Sequence, residues 1–283
     1  LINLLNMKKI PIALVNARLS QHSLAKYQKS SAKLARDTIK KITLIASQNE
    51  SSTARFLTLG ANPDTLHTTG SLKFDSNLSA DIKISENLSQ IVGDRRVVVF
   101  ASTRSGEEKK ILQSYINLNE KLDALLIIVP RHPERFDEVH RLITENKLNV
   151  KRRSENEPCN NDTEILLGDS MGELMSYYSI CDIAFIGGSL TRDGGQNMLE
   201  AAAVSKPVLF GPHVFNFEYI SQLLLDHDGA VQVSDANQLM QKIAELLLDE
   251  EKRVAIGKNA KKIIEDNRGT TKRLIELLTP QIN

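Results

Sequence analysis

The sequence predicts an α/β protein of two domains, each built on parallel strands. Three observations carry this: short apolar runs alternate with longer segments of helical period from Ile10 onward, a polar stretch interrupts the alternation between Gly70 and Gly93, and 283 residues with 41% hydrophobic content can fill two cores. Domains usually run to roughly 100–200 residues, so two fit the length. The expected division is 1–80, an incomplete N-terminal domain; 81–258, a complete second domain; and 259–283, C-terminal helices that pack back toward the first.

The elements follow in order. Leu1, Ile2, Leu4 and Leu5 are helically spaced ahead of Lys8 and Lys9. They read as the end of a helix that begins upstream, or as a true start on a short amphipathic helix. Strands are expected at Ile10–Val15, Ile42–Ala46, Leu66–Thr68, Val97–Phe100, Leu125–Val129, Ile165–Leu167, Ile183–Ile186, Pro207–Phe210 and Ala230–Val233, with helices between nearly all of them. The clearest helices are Ser20 to Lys41 and Asp235 to Leu248, which open on polar residues suited to capping. The stretch through Asp75, Asn77, Ser79 and Asp81 reads as the linker between domains. The loop from Ser154 to Thr163 reads as a solvated, hairpin-like insertion.

Composition narrows the function. Lys plus Arg number 36 against 35 for Asp plus Glu, so bulk nucleic-acid binding has no support and any anion site must be local. Cys159 and Cys181 fit neither a disulfide framework nor a paired metal-ligand spacing, which favours a reducing compartment. No apolar run approaches the ~18–20 residues of a membrane span, and no signal peptide opens the sequence.

The densest signal is Gly187-Gly188-Ser189-Leu190-Thr191-Arg192-Asp193-Gly194-Gly195-Gln196-Asn197, set between an apolar run and a helical segment that holds Glu200. Such a strand-to-helix turn lets backbone amides approach a phosphate, and a helix N-terminus adds roughly half a positive charge. The turn is an anion site, or a tight turn that needs glycine for its backbone alone. Its spacing matches neither a Walker loop nor a dinucleotide fingerprint. Glu200, three residues beyond Asn197, is placed to reach ribose hydroxyls or to face solvent. His213 falls after the strand Pro207–Phe210, where open α/β sheets bind ligands. Arg131 and Arg135 follow Leu125–Val129 and offer planar forks for phosphate or carboxylate. The hydroxyls of Ala101-Ser102-Thr103-Arg104-Ser105-Gly106-Glu107-Glu108 cap the next helix or touch a ligand. Arg18, where a strand meets a long helix, suits an acidic acceptor group or a surface ion pair.

These segments, in this order, resemble the bacterial 3-deoxy-D-manno-octulosonic acid (Kdo) transferases of lipopolysaccharide assembly. The matching pieces are Asn16–Ser23, the turn Ala46–Gln48, Arg55–Ala61, Gly70–Asp75, Ala101–Glu108, Pro130–Phe136, Gly168–Leu174, Gly187–Ala203 and Lys206–Phe217, which together span essentially the whole chain. The resemblance implies a GT-B glycosyltransferase: two Rossmann-like domains facing a cleft, the first one incomplete here, with an inverting reaction and neither metal nor cofactor. CMP-Kdo is the implied donor, and a lipid A precursor at the cytoplasmic face of the bacterial inner membrane the implied acceptor. Carried over by position, Arg131 with His132 and the turn Gly194, Gly195, Gln196 and Asn197 hold the CMP phosphate or the Kdo carboxylate. Met171, Gly172, Glu173 and Leu174 frame the cytosine, and Glu200 holds the ribose. Asn16, Arg18, Ser20 and Lys73 line the acceptor side.

The departures from the family pattern are specific. Gln196 replaces a histidine, so that position can donate a hydrogen bond but cannot become cationic. Arg104 stands where histidine is usual, and Asp193 brings a negative charge to the turn that Arg192 is placed to offset. The family's general base, a glutamate in a Ser-Val-Gly-Glu segment, is expected upstream of Leu1, since no Val-Gly-Glu occurs here. The family's membrane-anchoring segment is likewise not found, so the chain is expected to carry no anchor of its own. Two other functions share these features: a different GT-B nucleotide-sugar transferase, and a nucleotide-binding module without catalysis.

Overall fold

Among the described residues two separate parallel sheets organise the chain, one of three strands and one of seven. The computed structural model describes residues 1–29, 32–75 and 86–282. It forms two compact units: Leu1–Asn77 with Asp266–Asn283, and Leu78–Glu265. Asn77, Ser79 and Asp81 of the expected linker lie outside the described residues.

The first unit opens with α1 (Ile2–Met7) and β1 (Ala13–Ala17). Extended structure begins three residues later than the apolar run suggests. Lys9 has φ 56° and the Ile10 amide donates to the Leu5 carbonyl, so the chain is still closing α1 there. Of the expected helix from Ser20 to Lys41, the described residues form α2 (Gln21–Lys29) and α3 (Ala32–Ile39). Each buries an apolar residue, Leu24 in one and Ile39 in the other. β2 (Leu44–Ser47) follows, buried throughout, then α4 (Glu50–Leu59) and β3 (Leu66–Thr68). The Asn49 side chain caps α4 by accepting from the Ser52 amide at 2.8 Å. β2 is the middle strand, and Ile45, Phe56, Leu59, Leu66, Leu24 and Ile39 share one core.

The second unit runs α5 (Glu86–Val92), β4 (Val97–Thr103), α6 (Glu107–Ile116), β5 (Leu125–Pro130), α7 (Phe136–Glu145), β6 (Val150–Arg152), β7 (Ile165–Leu167), α8 (Leu174–Ile180), β8 (Ile183–Ile186), α9 (Leu199–Ala203), β9 (Val208–Phe210), α10 (Glu218–Asp226), β10 (Ala230–Gln232), α11 (Ala236–Leu248) and α12 (Glu250–Asp266). The sheet order is β10-β9-β8-β4-β5-β7-β6, and every pairing is parallel. β4 comes first in sequence yet sits centrally, with β5 on one side and β8 on the other. The chain therefore leaves in opposite directions from either side of β4, which is the crevice where open α/β sheets take ligands. Continuous apolar strands are what a sheet covered on both faces requires, and β4, β5, β7, β8 and β9 are buried almost throughout.

β6 carries no apolar run, only Val-Lys-Arg at half burial on the sheet edge. It pairs with β7 in parallel, so the Ser154–Thr163 segment is a crossover and no hairpin. That segment is tied down by the Cys159 amide, which donates to the Ile91 carbonyl at 2.7 Å.

The last helix, α13 (Thr270–Ile282), belongs to the first unit. The Asp75 carboxylate accepts from the Gly269 amide at 2.7 Å and the Thr271 amide at 2.5 Å, and Arg273 Nε donates to the Thr69 carbonyl at 2.8 Å. Burial pushes the Asp75 carboxyl up, but the hydrogen bonds from Thr271 and Gly269 outweigh it and hold it below the usual range. Asp75→Ala is expected to cost about 1 kcal/mol in urea unfolding. In the wild type this contribution is present above the unfolded-state pKa of about 4 and fades as pH falls through the lower folded value. Equal stability of variant and wild type at pH 7 would show that the cap contributes nothing.

Candidate functional site

At the carboxyl ends of β4 and β8 the glycine-rich turn already holds an anion, and it is a side chain. Glu107, fully buried at the start of α6, accepts from the amides of Gly188 (2.6 Å), Ser189 (3.0 Å), Leu190 (2.8 Å) and Arg104 (2.9 Å). Those amides are thus closed to a phosphate. The expectation that the first Gly-Gly pair cradles one is corrected on that ground. Burial pushes the Glu107 carboxyl up in pKa, while its bonds from Gly188, Arg104 and Leu190 oppose the rise. The hydroxyls of the β4 turn do not cap α6, whose N-cap is Gly106 without a side-chain bond. Thr103 instead donates to Glu108 at 2.7 Å.

The second glycine pair is shaped by its neighbours. Gly195 donates to the Gly188 carbonyl and Gln196 to that of Gly187, which folds the turn back on itself. Gly194 has φ 88°, and a Cβ there would come within 2.6 Å of Asn216 Nδ2. This part of the turn needs glycine for conformation and for close approach alike. Helix α9 has only five residues, so the macrodipole expected to favour an anion is small.

Three expected donor residues do converge. Asn197, just ahead of α9, donates to Glu200 at 2.9 Å. Burial raises the Glu200 carboxyl, with the Asn197 bond and the Arg131 charge opposing. Arg131 is exposed, and among the described residues its guanidinium makes no hydrogen bond or ion pair. Arg135, four residues on, is different: it holds Glu108 with two bonds, 2.7 and 3.0 Å, and Glu138 with two more. Glu108 is also fully buried, so Arg135 is committed to the fold and not to a ligand. His132 accepts at Nε2 from Arg104.

Met171, Gly172, Glu173 and Leu174 form a turn after β7, which β5 separates from β4. Met171 is 60% exposed, while Glu173 is paired with Arg153 at 2.8 Å and bonded by Ser170. Glu173 shapes that turn through Arg153, a partner the sequence gave no signal for. His213 lies after β9, with its amide on the Ser189 carbonyl at 3.0 Å.

Within the first unit, Asn16 (φ 52°) accepts from the Leu72 amide at 3.2 Å, which sets the turn that carries Lys73. Burial and the nearby Arg18 charge lower the Lys73 pKa, so the two cations share one neighbourhood. Ser20 stands apart as the residue that bonds Ser23, through hydroxyl and amide.

Residues 1–76 match the family described as 3-deoxy-D-manno-octulosonic-acid transferase (kdotransferase), and residues 87–263 match glycosyl transferases group 1. The 3-deoxy-D-manno-octulosonic acid transferase of Haemophilus influenzae is 40% identical over 286 residues, covering all of this chain and 67% of that protein. The chain belongs to the Kdo transferase family. The Bordetella pertussis member is 34% identical over 95% of this chain and 63% of its own length, so the chain spans about two thirds of these relatives. Among solved structures, the C-terminal CMP-Kdo binding domain of WaaA from Acinetobacter baumannii matches with TM-score 0.59 and 34% identity, over 63% of this chain and 94% of that one. HepE from Anabaena in complex with UDP matches with TM-score 0.60 at 16% identity, over 99% of this chain and 75% of that one, and confirms the GT-B fold.

Gly106-Glu107-Glu108 after β4 has two structural carboxylates, each with its own holder. The signal was in the sequence as two adjacent acids opening a helix, a position that favours negative charge but does not say which donors will take it. The arginines after β5 should separate in the same way. Arg135→Ala is expected to lose about 3 kcal/mol in urea unfolding, because it leaves a buried carboxylate unpaired. Arg131→Ala is expected to stay within about 0.5 kcal/mol of the wild type. Similar losses for both would return Arg135 to the list of candidate ligand contacts.

Proposed function

We propose that the Leu78–Glu265 unit binds CMP-Kdo, and that the protein serves the transfer of Kdo to a lipid A precursor at the cytoplasmic face of the bacterial inner membrane. The observation that carries this is the cluster of Arg131, Asn197 and Glu200 at the β4 crevice, in a unit whose relative of 34% identity is described as a CMP-Kdo binding domain. Glu200, held by Asn197, accepts from the ribose hydroxyls. Arg131 meets the phosphate, with His132 beside it and the turn Gly194, Gly195, Gln196 and Asn197 closing over the nucleotide. Met171, Gly172, Glu173 and Leu174 frame the cytosine.

In the first unit, Arg18 and Lys73 supply positive charge for an acidic acceptor, and Asn16 and Ser20 supply polar contacts. The acceptor hydroxyl attacks the anomeric carbon from the face opposite CMP, so the configuration inverts. CMP leaves with the bond electrons, its charge met by side-chain cations, and no metal or cofactor is given a part. The general base that takes the hydroxyl proton is proposed in the length that the relatives carry beyond the shared stretch; a positioned base commonly contributes 10²–10⁴-fold. Among the described residues no helix is long and apolar enough to cross a membrane, so membrane contact in this proposal rests on the lipid acceptor.

Calorimetry with CMP, UDP and ADP tests the donor. CMP is expected to bind best, and preference for UDP would favour another GT-B transferase. Glu200→Ala is expected to weaken CMP by about 1–3 kcal/mol. The carboxylate is the form that accepts two hydroxyl bonds, so affinity is expected to fall as pH drops through the raised Glu200 pKa, above the ordinary value of about 4.3. Glu200→Gln should flatten that profile. An unchanged profile in Glu200→Gln would remove Glu200 from the ribose.

A further inference from the structure

We propose that Arg104 is the anchor for the donor sugar's carboxylate, a specificity residue for a 2-keto-acid sugar as against a neutral one. This rests on the donor reading above. Kdo carries its carboxylate on the same carbon that bonds the CMP phosphate, so the donor presents two anions side by side. Two cationic forks stand at adjacent strand ends to meet them. The β4–β5 register pairs Thr103 with Pro130, and the Arg131 amide donates to the Thr103 carbonyl at 3.1 Å. Arg104 and Arg131 therefore leave neighbouring strands, about 5 Å apart at the backbone.

The two forks are held differently. Arg131 is exposed and unpaired among the described residues. Arg104 has its amide on Glu107 at 2.9 Å and its Nη1 on His132, which together tether the side chain at both ends. Its Nε is buried and, among the described residues, has no hydrogen-bond partner. A buried donor left unpaired is costly, and a planar fork fixed in place suits a planar carboxylate. The amides of Gly188, Ser189 and Leu190 cannot substitute, because Glu107 occupies them. The acids around the crevice are accounted for: Glu107 by amides, Glu108 by Arg135 and Thr103, Asp193 by the Thr191 hydroxyl, and Glu200 by Asn197, while Glu134 lies 3.8 Å from His132 Nδ1. No carboxylate is bonded to the Arg104 side chain among the described residues.

The test compares CMP with CMP-Kdo as ligands of the whole 283-residue chain, in wild type, Arg104→Gln and Arg104→Lys. In wild type CMP-Kdo should bind more tightly than CMP. Arg104→Gln should lower the CMP-Kdo to CMP affinity ratio about tenfold, with the loss confined to CMP-Kdo, and Arg104→Lys should recover part of it, since it keeps the charge without the fork. A ratio unchanged in both folded variants overturns the assignment while leaving the donor reading intact. Wild-type chain that binds UDP better than CMP overturns the donor reading itself and the assignment with it. If Arg104→Gln fails to fold, the ratio in Arg104→Lys decides alone.

Discussion

The burial of one carboxylate, Glu107, governs the geometry of the donor side. Its four amide partners come from both flanks of the crevice, one at the end of β4 and three at the end of β8. Removing any acceptor of this kind leaves buried donors exposed to no water, so the two strand ends are fixed with respect to each other. Everything beyond then inherits its place. The turn closes when Gly195 and Gln196 bond the carbonyls of Gly188 and Gly187, and Asn216 lays its amide on Gly194. A loop that resembles a phosphate cradle in sequence is here a scaffold with its anion built in.

The other buried acids around the crevice are answered locally, by side chains, in a chain whose formal net charge is only +1. The arginines divide this work according to what surrounds them. Arg135 is spent on Glu108, Arg153 on Glu173, and Arg152 on Asp169 at 2.6 Å. Burial pushes the Asp169 carboxyl up, but bonds from Ser154 and Arg152 outweigh it and leave it below the usual range. These pairs stiffen the strand ends that frame the crevice. Arg104 and Arg131 have no carboxylate on their side chains among the described residues, which is why a count of arginines near the motif says less than their partners do.

Most of the fold was legible because it is written in apolar runs. The strands Ile165–Leu167 and Ile183–Ile186 fall where the apolar runs put them, since a strand buried on both faces must be apolar throughout. β6 escaped because an edge strand of Val-Lys-Arg needs no such run. The site was legible by composition and not by pairing. Asn197 and Glu200, close in sequence, do meet, but Leu190 on Glu107, Arg135 on Glu108 and Arg153 on Glu173 lie 83, 27 and 20 residues away, where only the folded chain brings them.

The cap on α13 has a consequence for how the protein is made. Asp75 and its acceptor role are present early, but the amide of Gly269 that it holds is 194 residues further on. At roughly 5–20 residues per second on the ribosome, the interval is on the order of 10–40 seconds. The second unit, contiguous from Leu78 to Glu265, has every one of its strands before α13 emerges. Synthesis order and folding order are thereby reversed: the unit whose strands are translated first is completed last, by a helix that follows the whole of the second unit.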